Sequence, residues 1–305
     1  MNSQEMRHPP LQFAQWTHAM QSRIEQVLNE AMPASTETPE TLHQAMRYAV
    51  LGGGKRVRAL LAYAAGEFCG ANVVEVDLSA AAVELIHAFS LVHDDMPCMD
   101  DDDLRRGKTS THKQFGDATA LLAGDALQSL AFELASSEQC AIGAPQKVKI
   151  LHCLAFATGS RGMAGGQSID LESTGILLSQ GQLAQMHALK TGALMHAAAM
   201  MGAYTAQDTD TKKLEAVESF AKAIGLAFQV VDDILDAEAD TATLGKTAGK
   251  DAEQDKSTYV TLLGLATAKS LAQSLYQQAL ASLDDYKQEA DMLRGLANFI
   301  TQRQF

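Results

Sequence analysis

Two dense clusters of aspartate, each joined to an apolar segment, constrain this chain more than any other feature. The first cluster lies within 94–103 and the second within 232–236. Carboxylates this close repel one another and resist burial, so a fold that gathers both clusters needs cations to hold them. Carboxylate oxygens are hard ligands that suit Mg²⁺, which in turn favours phosphate oxygens. The clusters therefore indicate a site for diphosphate groups.

The second cluster has helical spacing. Its polar residues lie at positions i, i+3, i+4 and i+7, namely Gln229, Asp232, Asp233 and Asp236. On a helix these four share one face, and the residues between them are Val, Ile and Leu. A solvated acidic patch is the alternative, but so apolar a helix is expected to be mostly buried.

The first cluster follows the apolar segment 80–92. His87 and Asp94 are seven residues apart, so they share a helix face and lie about 10 Å apart along its axis. Ideal helical geometry places Asp101, rather than Asp100, beneath Asp94. Periodicity alone therefore does not select the distal ligand.

The rest of the chain favours an all-α fold in a single domain, 1–305. It has only 6 prolines, much Ala, Leu, Gln and Met, and no linker or repeat. The pattern predicts helices at roughly 10–31, 38–51, 57–69, 77–96, 117–137, 145–163, 180–203, 213–238, 257–285 and 287–302.

Composition excludes several functional classes. A formal charge of −13 argues against nucleic acid as a partner. No apolar run approaches the roughly 20 residues that span a bilayer, so no membrane insertion is expected. The first residues lack a signal pattern and the 4 cysteines lack C-x-x-C spacing, which predicts a cytoplasmic protein with reduced thiols.

Basic residues supply the positive charge that an acidic protein needs for anionic substrates. Gly52–Arg58 opens a predicted helix, where backbone amides attract anions. Arg105 and Arg106 directly follow the first acidic cluster, and Lys190 precedes Thr191 in an apolar helix. Together with the aspartates, they predict two diphosphate sites, one using metal and one using cations directly.

In order and spacing these motifs resemble the short-chain trans-isoprenyl diphosphate synthases, and most closely the bacterial members with a C15 product. The similarity also covers Ala123-Gly124-Asp125-Ala126-Leu127, Gly165-Gly166-Gln167, Lys190-Thr191-Gly192 and Gly245-Lys246-Thr247. The resemblance implies an isoprenoid-synthase-type bundle of about ten helices around a deep central cavity, and a homodimer. It also implies about three Mg²⁺ ions per site, with Mn²⁺ able to substitute.

The resemblance assigns roles residue by residue. The implied metal ligands are Asp94, Asp95, Asp100, Asp232, Asp233 and Asp236. The implied contacts to the allylic diphosphate, or to the cation it generates, are Arg105, Lys190, Thr191, Gln229 and Lys246. Isopentenyl diphosphate is expected on Lys55, Arg58, His87 and Arg106. Of these residues, Lys190, Thr191 and Gln229 are expected to stabilise the carbocation.

Product length is expected to depend on the helix before the first motif. Phe89, five residues before Asp94, lies about 7–8 Å below it and could close the cavity. In the family an aromatic residue there, with four residues between Asp95 and Asp100 instead of two, accompanies a C15 product. The small Ser90 argues against stopping at C10. Plain core packing is the alternative for Phe89.

Rival interpretations are a C20 or C10 synthase with the same chemistry, a terpene cyclase and a non-catalytic regulatory subunit. A cyclase would not need the second diphosphate site, and a regulatory subunit is expected to lose one acidic cluster. The chain departs from the family in three places. Ala59 and Val260 stand where proline is usual, and the C-terminus lacks a basic tail, leaving Arg303 to close over isopentenyl diphosphate.

Overall fold

A computed structural model describes residues 11–140, 142–238 and 257–302, and these form a helical bundle. The α-helices, in chain order, are α1 Leu11–Ala31, α2 Glu40–Val50, α3 Val57–Cys69, α4 Val73–Asp94, α5 Thr111–Phe115, α6 Asp117–Ser136, α7 Ala144–Thr158, α8 Met163–Glu172, α9 Gln180–His187, α10 Ala193–Thr205, α11 Thr211–Glu238, α12 Tyr259–Leu263, α13 Leu265–Ala281 and α14 Asp291–Thr301. A π-helix, Ala188–Gly192, joins α9 to α10, and a 3₁₀ turn, Gln288–Ala290, precedes α14. The predicted all-α class is confirmed.

The centre of the bundle is built from helices with small or aliphatic side chains on most faces. Almost every residue of α3 and α10 is buried, and α4 is buried along most of its length. Helices apolar all round belong inside a large core, because no face suits water. These three pack together and place the C-terminal end of α4, with Asp94, in the interior.

Local capping sets the limits of α4. It begins at Val73, earlier than the predicted residue 77, because Asn72 caps it through a capping box with Glu75. It ends at Asp94, shortly before Pro97, which has no amide hydrogen to continue a helix. The first aspartate cluster therefore leaves the helix instead of continuing its face.

Three elements, the hairpin, α5 and α8, were missed by the helical pattern. Leu104–Arg105 and Lys108–Thr109 form a short antiparallel hairpin, whose turn has Arg106 at φ 53° and Gly107 at φ 73°. Tyr48 Oη donates to Thr109 O at 2.6 Å and ties this hairpin to α2. The other two elements are α5 and α8, which lie where no helix was predicted. No described helix combines the length and apolar character needed to cross a bilayer.

Candidate active site

Both aspartate clusters line one cavity of about 730 Å³, which lies between α4, the hairpin, α8, the π-helix and α11. Eleven of the predicted site residues line it: Arg58, His87, Phe89, Ser90, Asp94, Arg105, Arg106, Lys190, Thr191, Gln229 and Asp232. Asp94 and Asp232 are 138 residues apart in sequence, yet they face the same space. The fold thus brings the two clusters together.

The turn after α4 separates neighbouring aspartates. The Asp100 amide donates to the Asp94 carbonyl at 2.9 Å, and the charge of Asp100 acts on both Asp94 and Lys190. Asp101 has φ 48°, is 58% exposed, and lies 3.6 Å from Lys113 Nζ. Because the helix ends at Asp94, ideal helical periodicity does not apply to the residues that follow. The turn instead places Asp100 close enough to Asp94 for its charge to act there.

The charged form of Asp94 is disfavoured by burial and by neighbouring carboxylates. The pKa of Asp94 is raised to about 6, mainly by burial; the negative charges of Asp100 and Asp95 contribute to this rise, and the positive charges of Lys190 and Arg105 oppose it. Charges crowded in this way ionise more readily beside a cation. The cavity therefore favours a bound cation at this end of α4.

Asp95 is not among the residues that line the large cavity, and its carboxylate holds Arg105. Its carboxylate is buried and accepts from Arg105 Nε at 2.9 Å, and from Arg105 Nη2. Burial raises the pKa of Asp95, and the bond to Arg105 opposes that rise. Arg105 in turn reaches the large cavity, so Asp95 fixes the direction of its guanidinium.

The second cluster is likewise divided by the fold. Gln229 and Asp232 line the cavity, whereas Asp233 is buried and accepts from Gln229 Nε2 at 3.0 Å and from the Tyr259 amide at 2.8 Å. Thr191 Oγ1 donates to Gln229 Oε1 at 3.1 Å. Asp236 is half-buried and lies outside the lining. The predicted common face thus carries both lining and supporting groups.

Lys190 reaches the cavity from the π-helix, and its partner, Asp170, had no predicted role. Lys190 Nζ donates to Asp170 Oδ2 at 2.6 Å. Burial lowers the pKa of Lys190, but Asp170 and Asp94 outweigh burial and leave it raised. Asp170 follows Gln167 by about one helical turn, just after Gly165-Gly166. This spacing was the feature of the sequence that could have identified Asp170.

A second group of basic residues also lines the cavity. Arg58, His87 and Arg106 line it together. Burial lowers the pKa of Arg58 to about 10, so it stays charged at neutral pH. Burial, followed by the charges of Arg58 and Arg106, lowers the pKa of His87 well below its usual value, so this imidazole is neutral. Lys55 is exposed on the preceding loop and is not among the lining residues.

Arg56, a residue without a predicted role, holds this loop in place. It is buried with φ 50° and donates to Glu25 Oε1 at 2.8 Å, Glu84 Oε2 at 3.2 Å and the Val50 carbonyl at 2.6 Å. Glu84 also accepts from the Ala59 amide at 3.0 Å. Because Arg56 lies between Lys55 and Arg58, its ion pairs fix where both of these cations project.

Two predicted residues, Lys246 and Arg303, lie outside the described part of the chain. The remaining residues were tested for their fit to Mg²⁺. Among described residues, no three His, Cys, Asp or Glu side chains cluster tightly enough to enclose an ion alone. Mg²⁺ takes few carboxylates and completes its shell with phosphate oxygens and water. Facing carboxylates at Asp94 and Asp232 therefore fit Mg²⁺ that is shared with a diphosphate.

Known proteins are similar to this chain over nearly its whole length. A farnesyl diphosphate synthase of Haemophilus influenzae is 47% identical, and the match covers 95% of this chain and 98% of that protein. The large subunit 1 of a heterodimeric geranylgeranyl pyrophosphate synthase from Arabidopsis thaliana is 44% identical, with 92% of this chain and 76% of that protein covered.

A solved structure matches as well. The geranyltransferase from Helicobacter pylori, complexed with magnesium and isoprenyl diphosphate, superimposes with a TM-score of 0.83 at 30% identity, covering 98% of each chain. The family model for polyprenyl synthetases matches residues 39–293. Acidic and basic side chains line the same cavity of an all-α bundle and the similarities span nearly the whole chain, so this chain belongs to the polyprenyl synthetase family of prenyltransferases.

Proposed function

We propose that this protein is a farnesyl diphosphate synthase. It condenses isopentenyl diphosphate with dimethylallyl diphosphate, and then with geranyl diphosphate, releasing diphosphate each time. The observation that carries the proposal is that acidic and basic side chains line one and the same cavity. Asp94 and Asp232 face it from separate helices, while Arg58, His87 and Arg106 form a second anion site.

The aspartates of the two clusters are assigned to about three Mg²⁺ ions, with Mn²⁺ as a substitute. The assigned residues are Asp94, Asp95, Asp100, Asp232, Asp233 and Asp236. When bound, Mg²⁺ neutralises the charge that grows on a departing diphosphate. Asp95 and Asp233 are already bonded to Arg105 and Gln229, so they also fix the polar side chains that meet the substrate.

The allylic diphosphate lies between Arg105 and Lys190 in this proposal, with Lys246 as a further cation. Its C1–O bond breaks and the electron pair leaves with diphosphate, which these positive side chains stabilise. The allylic carbocation is then stabilised by dipoles, and no protein nucleophile is required. Thr191 and Gln229 supply them, and their hydrogen bond to each other holds both dipoles in fixed directions.

Isopentenyl diphosphate is assigned to Arg58, His87 and Arg106, with Lys55 closing from the loop. A neutral His87 donates a hydrogen bond without adding another positive charge beside two arginines. The double bond of isopentenyl diphosphate attacks C1 of the cation. Loss of the C2 proton to the released diphosphate then restores a double bond and completes the step.

Phe89 and Ser90 line the cavity on α4 and are assigned to product length, with Phe89 as the floor. A C20 or C10 synthase differs only at this floor. The similarity to a geranylgeranyl pyrophosphate synthase favours C20 as the second candidate. The single domain over 1–305 and the cytoplasmic location stay predictions.

A homodimer is proposed as the assembly. Leu121 and Leu122 on α6 are 45% and 56% exposed, and neighbouring apolar side chains on a helix are suited to burial against another chain. Light scattering coupled to size exclusion tests this. A mass of two chains is expected, and the mass of a monomer at micromolar concentration would remove the dimer.

The deciding assay uses labelled isopentenyl diphosphate with dimethylallyl, geranyl and farnesyl diphosphates, with and without Mg²⁺, and chromatography of the products. Mg²⁺-dependent C15 formation from the first two primers is expected. A main product of C20 or C10 would select the alternative, and no consumption of isopentenyl diphosphate would overturn the proposal. Asp94→Ala and Asp232→Ala should each lower turnover about a hundredfold or more. The matched control is Asp208→Ala, an exposed carboxylate.

A further inference from the structure

The motif Ala123-Gly124-Asp125 on α6 has no role in the reaction described so far, and neither has His93, the residue before Asp94. The structure joins them. His93 Nε2 lies 3.1 Å from the Leu121 carbonyl, so this nitrogen carries the hydrogen and donates it. The imidazole therefore has a fixed position against α6.

Gly124 makes that position available. A Cβ atom at residue 124 would lie 2.2 Å from His93 Nε2 and 2.5 Å from His93 Cδ2. No side chain larger than hydrogen fits there while the imidazole keeps its place, since such distances are far below van der Waals contact. Gly124 thus forms a notch in α6 that receives the His93 ring.

The other side of the His93 ring meets the proposed floor. Phe89 and His93 are four residues apart on α4, so they lie one turn apart on the same face. Their ring centroids are 5.1 Å apart with planes at 82°, an edge-to-face contact. Both side chains line the large cavity. A ring held by α6 is therefore packed against the ring that would stop the growing isoprenoid.

We propose that His93, seated in the Gly124 notch, is a positioning residue that fixes the Phe89 ring and so sets product length. This inference rests on the proposed function, because it presumes a C15 product limited by Phe89. Without its partner, the Phe89 ring gains freedom to turn aside. If the notch is filled, the imidazole is forced away from α6, and the available direction is toward the cavity and Phe89.

The test compares product lengths from dimethylallyl and isopentenyl diphosphates. His93→Ala should raise the ratio of C20 to C15 product about three- to tenfold, the effect of losing one edge-to-face pair. Gly124→Ala should shift products toward C10. In the double variant the notch no longer matters, so its profile should match that of His93→Ala. Gly181→Ala, where a Cβ meets nothing within 4 Å, is the matched control and should keep the wild-type ratio.

His93→Gln serves if His93→Ala does not fold, because it keeps a donor for the Leu121 carbonyl and lacks the ring. A changed ratio is the decisive readout, since damage to Asp94 alone would slow turnover and leave C15 as the product. An unchanged ratio in His93→Ala or His93→Gln, in an enzyme where Phe89→Ala lengthens the product, overturns the inference alone. The inference is also overturned if Gly124→Ala still shifts the products toward C10 in the His93→Ala background. A wild-type enzyme that does not make C15, or a Phe89→Ala variant that still does, overturns the proposed function or its floor as well.

Discussion

The cations in and beside this site are held by carboxylates that do not themselves line the cavity. Lys190 is bonded to Asp170, Arg105 to Asp95, and Arg56 to both Glu25 and Glu84. Each pair fixes the direction of a long, flexible side chain before any substrate arrives. Positive groups that are already oriented stabilise a leaving diphosphate without first having to reorganise.

Asp170→Asn tests this arrangement at a single residue. The variant keeps the size of the side chain but removes the charge that holds Lys190, so Lys190 should lose its fixed position. Turnover should fall roughly ten- to hundredfold, as expected for a misplaced positioning group. The free energy of unfolding should fall by about 1–3 kcal/mol.

The matched control is Asp208→Asn, a carboxylate exposed in the loop before α11. Steady-state assays and urea unfolding should leave this control unchanged. If Asp170→Asn keeps full turnover while Lys190→Ala loses it, Lys190 does not need its partner and the positioning role is wrong.

The π-helix is the element that most depends on its neighbours. Ala188–Gly192 carries both Lys190 and Thr191, and short π-helical turns often occur at functional sites. It packs against α8 at very short range, because a Cβ at Gly166 would lie 2.1 Å from the Lys190 amide nitrogen and 2.5 Å from Lys190 Cα. The Gly165-Gly166-Gln167 motif thus permits contact between two backbones.

Gly166→Ala should force α8 and the π-helix apart, since backbone atoms cannot move aside as a side chain can. We expect a loss of about 1–3 kcal/mol in the free energy of unfolding and a clear fall in kcat. Thermal unfolding and the standard assay measure both. Gly181→Ala on α9, which meets no atom, should be neutral or slightly stabilising. Equal behaviour of the two variants would show that the close approach is unimportant.

At the scale of the whole molecule, one buried histidine, His187, makes the folding stability sensitive to acid. His187 is buried against Tyr259, with ring centroids 5.6 Å apart, and within the described chain neither ring nitrogen has a hydrogen-bond partner. Burial lowers its pKa to about 4, Lys190 lowers it too, and Asp170 opposes them. Since the folded pKa lies below the unfolded value, the protein loses stability as the pH falls from about 6.5 to 4.

His187→Phe should remove this sensitivity to acid. Between about pH 7.5 and pH 5.0, the wild type should lose roughly 2 kcal/mol more of its unfolding free energy than the variant does. Urea unfolding at one protein concentration measures the difference, and that concentration must be constant for an oligomer. His152→Phe, on an exposed position of α7, is the control and should follow the wild type. Parallel losses in wild type and His187→Phe would assign the acid sensitivity to other groups.

Local information in the sequence predicted most of the helices. Apolar periodicity and breakers located α1, α3, α6 and α11 within a few residues, because these signals act over single turns. The hairpin, α5 and α8 were missed. The hairpin has only two residues per strand, too few for an alternating pattern, and α8 has glycines where helix formers are expected.

The sequence by itself determined the all-α class, the two aspartate clusters and the basic motifs, since composition and spacing within one segment fix these. Only the tertiary structure decided which carboxylates line the cavity, namely Asp94, Asp102 and Asp232, and which support neighbours, as Asp95 and Asp233 do. Only it paired Lys190 with Asp170 and seated His93 in the Gly124 notch. The physical reason is that such contacts join segments distant in sequence, and helical periodicity carries no information about what a neighbouring helix presents.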